Sequence, residues 1–292
     1  MKRILVATDF STRSDRALLR GCLLARQSSA TLILVHVVDD DEPNRLVDAR
    51  QYEAAGLLHE LSRTAREDGI DCESRVVLGD PFQGIVNAAE ELGVDLLLLG
   101  PHRRQLLRDT FVGTTAERTI KLSPRPVLMA NGVPASLYRS ILIAIDLSDN
   151  STIAAQTAKQ LGLLKQPQTT ALHVIEDERG PVARASMSID KLKDRLVQEE
   201  RRASEELDAI LCKVGTAASR HVIRLTEKSV SMAINDYARR VGADLLVVGT
   251  HRRSGIEKWL LGSVAENIMA HSTIDVLAVP PDAIDAISSD SF

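Results

Sequence analysis

The chain has 292 residues, of which 44% are hydrophobic and 3% aromatic, and its formal net charge is −4. A chain of this length typically forms about two domains, each able to bury a hydrophobic core, which excludes a disordered protein. The few aromatic residues and the lack of a basic excess argue against nucleic-acid binding, which needs stacking platforms and a positive groove. Aliphatic side chains must therefore form the core, as in parallel sheets covered by helices on both faces.

The cysteines and the apolar runs indicate a reducing, aqueous environment. Cys22, Cys72 and Cys212 are far apart and form no C-x-x-C pair that could hold zinc or a redox disulfide. The apolar run at residues 4–7 is too short for a signal peptide, and other runs fall far below the ~20 residues that span a bilayer. We expect a soluble, cytoplasmic protein that does not associate with membranes.

Short apolar runs alternate with helical patterns through the first half of the chain. In the helical pattern over residues 82–92, apolar residues recur at i, i+3, i+4, i+7 and i+10. Ser11 and Thr12 are predicted to cap the first helix. A helix follows each of the first four predicted strands, which together with the fifth are residues 4–8, 31–38, 73–78, 94–99 and 126–130. This alternation predicts a doubly wound parallel sheet with right-handed crossovers.

The second half of the chain repeats the first. Three segments recur with the same apolar pattern, first at an offset of 137 residues and later at an offset of 149. The repeated pairs are residues 4–9 with 141–146, 34–38 with 171–175, and 93–100 with 242–249. The 12 extra residues lie between residues 173 and 242, where a long charged helix over about residues 189–213 accommodates them.

A short break containing Gly, Pro and Ser, at residues 131–136, separates the two copies. We predict two domains, residues 1–135 and 136–292, each a Rossmann-like α/β unit with a five-stranded parallel sheet flanked by helices. The break is too short to act as a free tether, so the two domains should lie against each other.

Ligands of doubly wound sheets bind beyond the carboxyl ends of the strands, where the strand order reverses, which here means after the first and fourth strands. The first strand of each half ends at an aspartate, Asp9 or Asp146, followed by a serine that can cap the next helix, Ser11 or Ser148. A carboxylate repels phosphate, so it would face the base or ribose of a nucleotide and accept hydrogen bonds. Alternatively, each aspartate only helps to cap its helix.

The loop after the fourth strand is rich in glycine in both halves. Glycine allows the backbone to approach an anion closely, and a helix N-terminus offers free N–H groups. Gly100 or Gly249 opens this loop, and a Gly-Thr or Gly-Ser pair closes it at the start of the last helix. The same residues could serve only as turns and caps. Neither the P-loop pattern nor the G-x-G-x-x-G fingerprint occurs, which argues against common NTPases and NAD-dependent dehydrogenases.

On these residues, both halves resemble domains of the universal stress protein family, joined in tandem. The resemblance implies that a G-x2-G-x9-G-[ST] motif holds the phosphates of ATP or AMP. It also implies that the first-strand aspartate and the residue after the second-strand histidine flank the adenine. The residues it implicates are Asp9, Val37, Gly100, Gly113 and Thr114 in the first half and Asp146, Val174, Gly249, Gly262 and Ser263 in the second. The last strands of the two halves are expected to pair as an intramolecular pseudo-dimer, and a homodimer of the whole chain stays open.

Both halves depart from the motif at its second glycine, where Arg103 and Arg252 stand. A side chain at this position would obstruct the close approach of a phosphate, or its guanidinium would bind the phosphate directly. Both outcomes remain open. Of the two sites we favour the second, because Pro101 in the first half lacks the backbone N–H that Thr250 retains.

The function expected from these observations is that of a stress-response protein that binds adenine nucleotide in one or both halves and regulates without catalysis. The alternative is a nucleotide-free scaffold that binds protein partners or another small ligand, as the two arginines would allow. A slow ATPase ranks third, since no general base is evident. We predict no catalytic residues and no metal ligands, and we interpret His36 and His173 as core histidines.

Overall fold

The computed structural model describes residues 1–101, 114–165, 168–176, 189–224, 229–252 and 259–283. The strands are β1 (Arg3–Ala7), β2 (Thr31–Val38), β3 (Cys72–Leu78), β4 (Leu96–Leu99), β5 (Val127–Met129), β6 (Ser140–Ala144), β7 (Gln168–Ile175), β8 (Ser219–Arg224), β9 (Leu245–Gly249), β10 (His251–Arg252), β11 (Trp259–Leu260) and β12 (Asp275–Val279). The helices are α1 (Ser14–Ser28), α2 (Asn44–Glu67), α3 (Pro81–Glu91), α4 (Thr115–Leu122), α5 (Asp149–Gln160), α6 (Ile189–Val214), α7 (Val230–Val241) and α8 (Ser263–His271).

A ten-stranded sheet runs through both halves in the order β3-β2-β1-β4-β5-β12-β9-β6-β7-β8. Within each half, neighbouring strands are parallel, and the second half repeats the strand order of the first. This confirms the predicted doubly wound α/β fold. The halves join where β5 and β12 pair antiparallel, with Leu128 opposite Leu277. This pairing confirms the expected pseudo-dimer.

The continuous apolar runs of the sequence form the central strands, because helices cover both faces of the sheet. Ile4, Leu5 and Val6 of β1 are all fully buried, as are the four leucine side chains of β4 to within a few per cent. Alternate residues of each strand belong to two aliphatic cores. One lies beneath α1, α2, α5 and α6, and the other beneath α3, α4, α7 and α8. The burial of both faces is the physical reason why these strands show no polar alternation.

The start of the first helix differs in part from the prediction. Helix α1 begins at Ser14, and Arg13 before it makes no side-chain capping bond. The Ser11 hydroxyl still accepts a hydrogen bond from the Ser14 amide at 3.5 Å, so Ser11 takes part in the helix start as predicted. In the second half the expected cap is present, because the Ser148 hydroxyl accepts a hydrogen bond from the Ser151 amide at 3.3 Å and α5 begins at residue 149. The predicted long charged helix is confirmed as α6.

A buried polar network links the first half, the connecting segment and the last strand. Asp275 is ion-paired with Arg20 at 2.8 Å, and the two side chains are 1% and 6% exposed. The same carboxylate accepts hydrogen bonds from the Tyr138 hydroxyl at 2.6 Å and from the Gly132 amide at 2.8 Å. Arg20 also donates to the Ser136 carbonyl and stacks on the Tyr138 ring at 4.0 Å. Three groups, the Arg20 guanidinium, the Tyr138 hydroxyl and the Gly132 amide, thus compensate the buried charge of Asp275.

Strands β10 and β11 form a small antiparallel pair outside the main sheet, which the sequence did not predict. His251 lies opposite Leu260, and Arg252 opposite Trp259. Strand β11 contacts α4 of the first half, so the loop of the second half reaches across the junction. Among the described residues, no helix is both long and apolar enough to cross a membrane.

Candidate functional site

The first half has a cavity of about 420 Å³ at the carboxyl ends of β1, β2 and β4. The strand order reverses here, because β1 lies between β2 and β4. The walls include four of the residues predicted from the sequence, namely Asp9, Val37, Gly100 and Thr114. Arg103 and Gly113 lie outside the described residues.

The second half has a cavity of about 230 Å³ at the equivalent place. It is lined by five of the residues predicted for this half, namely Asp146, Val174, Gly249, Gly262 and Ser263. Positions separated by more than a hundred residues therefore meet at one cavity in each half. Whether they bind a ligand stays a prediction.

The aspartate after the first strand has the same local geometry in both halves. Asp9 Oδ1 accepts hydrogen bonds from the Ser11 amide at 3.0 Å and from the Ser11 hydroxyl at 2.5 Å. Asp146 Oδ1 accepts the same two bonds from Ser148, also at 3.0 and 2.5 Å. One carboxylate oxygen is therefore used by the turn, and only the other is free to face the cavity.

These bonds keep both carboxylates ionised. Partial burial acts to raise the pKa of Asp9, but the hydrogen bonds from Ser11 outweigh it and lower the pKa below its usual value. The pKa of Asp146 is lowered in the same way, by hydrogen bonds from Ser148 against the effect of burial. Each cavity therefore presents a negative charge at the end of its first strand.

The second oxygen of the aspartate has a different partner in each half. Asp9 Oδ2 lies 3.4 Å from the guanidinium of Arg13, the residue that immediately precedes α1. Asn150 occupies the position equivalent to Arg13, and Asp146 Oδ2 lies 3.8 Å from His251 Nε2 instead. The Asn150 side-chain amide lies 3.2 Å from His251 Nδ1 and can only donate, so the imidazole proton is on Nε2, facing Asp146.

A left-handed residue follows the aspartate in each half. Phe10 has φ of 58° and Leu147 has φ of 65°, and residues with a Cβ rarely adopt this conformation. Sequence analysis missed this feature, because neither residue is a glycine or asparagine that would signal it. Its recurrence at equivalent positions indicates that the turn is held against backbone strain in order to aim the aspartate.

Two strand histidines hold this turn. His36 Nδ1 lies 2.8 Å from the Thr8 carbonyl, and His173 Nδ1 lies 2.8 Å from the Ile145 carbonyl. A carbonyl can only accept, so Nδ1 carries the proton in each. The predicted role of both residues as satisfied histidines of the core edge agrees with these bonds. The Phe10 ring also packs on His36, with centroids 4.5 Å apart.

Aliphatic side chains form the walls of both cavities. Val37 meets α3 at Gly84, where a Cβ would lie 2.8 Å from the valine Cγ1, so glycine allows the helix to pack close to the strand. Val174 and Ile234 line the second cavity in the corresponding way. A flat apolar group could therefore bind next to the aspartate in either half.

Gly100 and Gly249 are required by packing. A Cβ on Gly100 would lie 2.8 Å from the Arg13 carbonyl oxygen, and one on Gly249 would lie 2.9 Å from the Asn150 carbonyl oxygen. Each glycine therefore allows the start of the first helix to lie against the end of the fourth strand. Gly262 differs, because the nearest atom to its Cβ would be a side-chain carbon of His251 at 3.6 Å.

The donor count that favoured the second site is wrong for Thr250. Its amide donates to the Val279 carbonyl at 2.8 Å, its hydroxyl lies 3.3 Å from the same oxygen, and the residue is 2% exposed. Neither group is available to a ligand. Proline at position 101 therefore costs the first half only the equivalent backbone hydrogen bond at the end of the sheet. It does not remove a donor to a phosphate.

The N-termini of α4 and α8 face the cavities and supply a partial positive charge. The Thr114 hydroxyl caps α4 by accepting a bond from the Glu117 amide at 3.1 Å, and it keeps its own proton for a further acceptor. Ser263 is the first residue of α8, which begins after Gly262 without a side-chain cap. An anion would be stabilised at either helix start.

Arg252, at the motif's second glycine position, lies in β10 opposite Trp259. Extended backbone of this kind is open to any residue, so this position does not need a left-handed glycine. Taken together, each cavity joins an ionised carboxylate, an aliphatic wall and a helix N-terminus. This arrangement suits a ligand with an apolar ring that carries donors and an anionic end.

Comparison with known proteins gives one family. The model of the universal stress protein family matches residues 1–131 and 137–280. Universal stress protein E of Escherichia coli strain K12 is 22% identical over 231 residues, which cover 77% of this chain and 73% of that protein. Universal stress protein MJ0577 of Methanocaldococcus jannaschii is 27% identical over 151 residues, covering 44% of this chain and 93% of that protein. Among solved structures, protein PA1789 of Pseudomonas aeruginosa PAO1, described as functionally unknown, has the same fold, with a TM-score of 0.72, 20% identity and coverage of 99% and 95%.

Proposed function

This chain belongs to the universal stress protein family, and we propose that it binds an adenine nucleotide, ATP or AMP, and acts as a non-enzymatic regulator through the occupancy of its sites. The observation that carries the proposal is that the predicted site residues come together at one cavity in each half. In each half, the aspartate, the valine, the first glycine and the Thr or Ser of the motif line a single cavity at the point where the strand order reverses.

The residues of each cavity fit the three parts of such a nucleotide. The Oδ2 atom of Asp9 or Asp146, which the serine of the turn does not use, would accept a hydrogen bond from the adenine amino group or from a ribose hydroxyl. The aliphatic wall at Val37 or Val174 would cover the base. The first turn of α4 or α8 would bind the phosphates through its backbone N–H groups.

The state of Asp9 favours binding over catalysis. Ser11 and Arg13 engage its two oxygens, and its pKa is lowered, so it is a weak base at neutral pH. A held nucleotide would then persist as a signal. The first cavity, at about 420 Å³, lies within the range of about 300–1,000 Å³ typical of small-molecule sites. The second, at about 230 Å³, lies below it and would need to widen.

Two measurements test the proposal. Mass spectrometry of the purified and then denatured protein detects retained nucleotide, and calorimetry with ATP and AMP measures binding to the emptied protein. We expect binding of both nucleotides and its loss in the Asp9→Ala, Asp146→Ala double variant. Asp40→Ala, which removes the charge of an exposed aspartate that does not line the cavity, is the matched control. No retained nucleotide and no binding at millimolar ATP would contradict the proposal.

The Arg252→Gly variant tests the role of the motif arginine. The extended backbone at this position does not require glycine, so the arginine is accommodated without strain. Because guanidinium groups bind phosphate strongly, we expect the variant to bind ATP several-fold more weakly. Calorimetry on the full chain measures the change. Tighter binding of ATP would mean that the arginine obstructs the site, and would favour the nucleotide-free scaffold.

A further inference from the structure

The two cavities differ in charge at one pair of equivalent residues, Arg13 and Asn150. Both lie at the start of the helix after the aspartate, Arg13 just before α1 and Asn150 within the first turn of α5, and both have their backbone carbonyls against a glycine. Arg13 lines the first cavity, with its guanidinium 3.4 Å from Asp9 Oδ2. Asn150 carries no charge, and its amide is bonded to His251.

The loops themselves do not create this difference. Residues 102–113 contain three arginines and one aspartate, and residues 251–262 contain two arginines, one lysine and one glutamate. Both loops therefore carry a formal charge of +2 with histidine neutral. Asp9 and Asp146 are also equivalent and both ionised. Among the described residues that line the two cavities, the charged side chains are Asp9 and Arg13 in the first half and Asp146 in the second, so the difference lies at Arg13 and its equivalent, Asn150.

We propose that Arg13 is a specificity-determining residue, which makes the first cavity select nucleotides by their phosphate charge while the second cavity binds with less discrimination between phosphorylated and unphosphorylated forms. This inference rests on the proposed binding of adenine nucleotide. Arg13 is suited to the role because its contact with Asp9 is a partly exposed ion pair, with side chains 39% and 61% exposed. Such pairs are weak, so the guanidinium can turn toward a phosphate and bind it in bidentate fashion.

The experiment exchanges the two residues and varies the ligand charge. Calorimetry with ATP, AMP and adenosine is carried out at low salt on the full chain and on Arg13→Asn, Asn150→Arg and Arg26→Asn. Arg26 lies on the last turn of α1, where it pairs with Asp68, so its replacement removes the same charge far from the cavity. Each exchange is also measured with the site aspartate of the other half replaced, Asp146→Ala or Asp9→Ala, so that the calorimetry reports one half at a time.

Arg13→Asn is expected to weaken ATP binding by about tenfold in the first half, as for loss of one charge-assisted contact, and to leave adenosine binding within about twofold. Asn150→Arg is expected to strengthen ATP binding in the second half by a similar factor, measured by calorimetry in the Asp9→Ala background, again with little change for adenosine. Arg26→Asn should change neither. The change in affinity for AMP should be smaller than that for ATP and larger than that for adenosine.

The outcomes separate this inference from the proposed function. If none of the three ligands binds the unmodified protein, the proposed function fails and this inference fails with it. If ligands bind but Arg13→Asn changes ATP and adenosine by the same factor, Arg13 positions Asp9 and does not read charge, so only the inference is overturned. Stronger ATP binding by Arg13→Asn would also overturn it, since the arginine would then block the cavity.

Discussion

Arg20 and Thr157 occupy the same position of the repeat, on the helix that follows the first strand of each half. Arg20 is ion-paired with Asp275, stacked on Tyr138 and bonded to the connecting segment. Thr157 is fully buried, and its hydroxyl has no hydrogen-bond partner among the described residues. The comparison teaches that fusion of two copies allowed them to diverge where a symmetric dimer of identical chains could not.

The largest expected loss of stability comes from removing the charge of Arg20. Arg20→Met leaves Asp275 buried without its cation, and removal of one partner from such a pair typically costs about 3–5 kcal/mol. We expect this loss in the free energy of unfolding measured with urea near neutral pH. The double variant Arg20→Met, Asp275→Leu should recover much of the loss, and a single variant as stable as the unmodified chain would show that the pair is unimportant.

The glycines after the fourth strands test whether the two halves pack alike. Gly100→Ala and Gly249→Ala each place a Cβ within 3 Å of helix backbone, and overpacking of this kind costs about 1–3 kcal/mol. Gly262→Ala is the control, since its Cβ would meet only a side chain at ordinary contact distance. In urea unfolding, Gly100→Ala and Gly249→Ala should both have a lower free energy of unfolding than Gly262→Ala. Equal stability of all three would contradict the packing role.

A smaller effect of opposite sign is expected in the second half. Thr157→Val replaces a buried hydroxyl without a partner by a methyl group of similar volume, and we expect stabilisation of about 1 kcal/mol. Thermal unfolding measures it. A loss of stability would mean that the hydroxyl is bonded in solution, through a water or a shifted carbonyl.

The smallest effect is a pH dependence shared by both halves. The pKa of Asp9 is lowered below 3.8, so its stabilising contribution is present above that value and is lost as pH falls through the depressed pKa. Asp146 behaves in the same way. Asp9→Asn and Asp146→Asn should therefore lower stability near pH 7 and match the unmodified chain at about pH 2. A destabilisation independent of pH would contradict this.

Asp275 provides the contrast to the site aspartates. Burial raises its pKa despite the opposing effect of Arg20. Its contribution to stability is therefore most favourable at low pH and decreases as pH rises through the raised pKa, the reverse of Asp9. The network stabilises the junction by compensating a charge that burial disfavours, whereas the site aspartates are stabilised as ions.

The repeat and the apolar runs were sufficient to predict a doubly wound parallel sheet in each half, because parallel strands buried on both faces leave a strong local signal. The pairing of the two last strands was expected from the family resemblance. Topology also pointed to one site for Asp9 and Gly100, whereas Val37 was expected there only from the family resemblance. The ion pair of Arg20 with Asp275 could not be predicted, since its partners are 255 positions apart and neither belongs to a local pattern. The use of the Thr250 donors by Val279 was missed for the same reason.

Turn details were harder still. The start of α1 at Ser14 depends on Thr8, whose hydroxyl accepts a bond from the Phe10 amide and contacts the Ser14 hydroxyl, both at 3.0 Å. Ile145 replaces Thr8 in the second half, so these two contacts of Thr8 are absent there. The serine-to-amide bond is present in both halves, at 3.5 Å for Ser11 with Ser14 and at 3.3 Å for Ser148 with Ser151.

The antiparallel pairing of β5 with β12 also sets the direction in which the two cavities open. All strands of one half run opposite to those of the other, so the two sets of carboxyl ends lie at opposite edges of the shared sheet. A macromolecule bound over one cavity would therefore leave the other accessible to solvent. Among the described residues, the two halves are linked by the β5–β12 pairing, by the ion pair of Arg20 with Asp275 and by the contact of β11 with α4, so these contacts are the routes by which one site could influence the other.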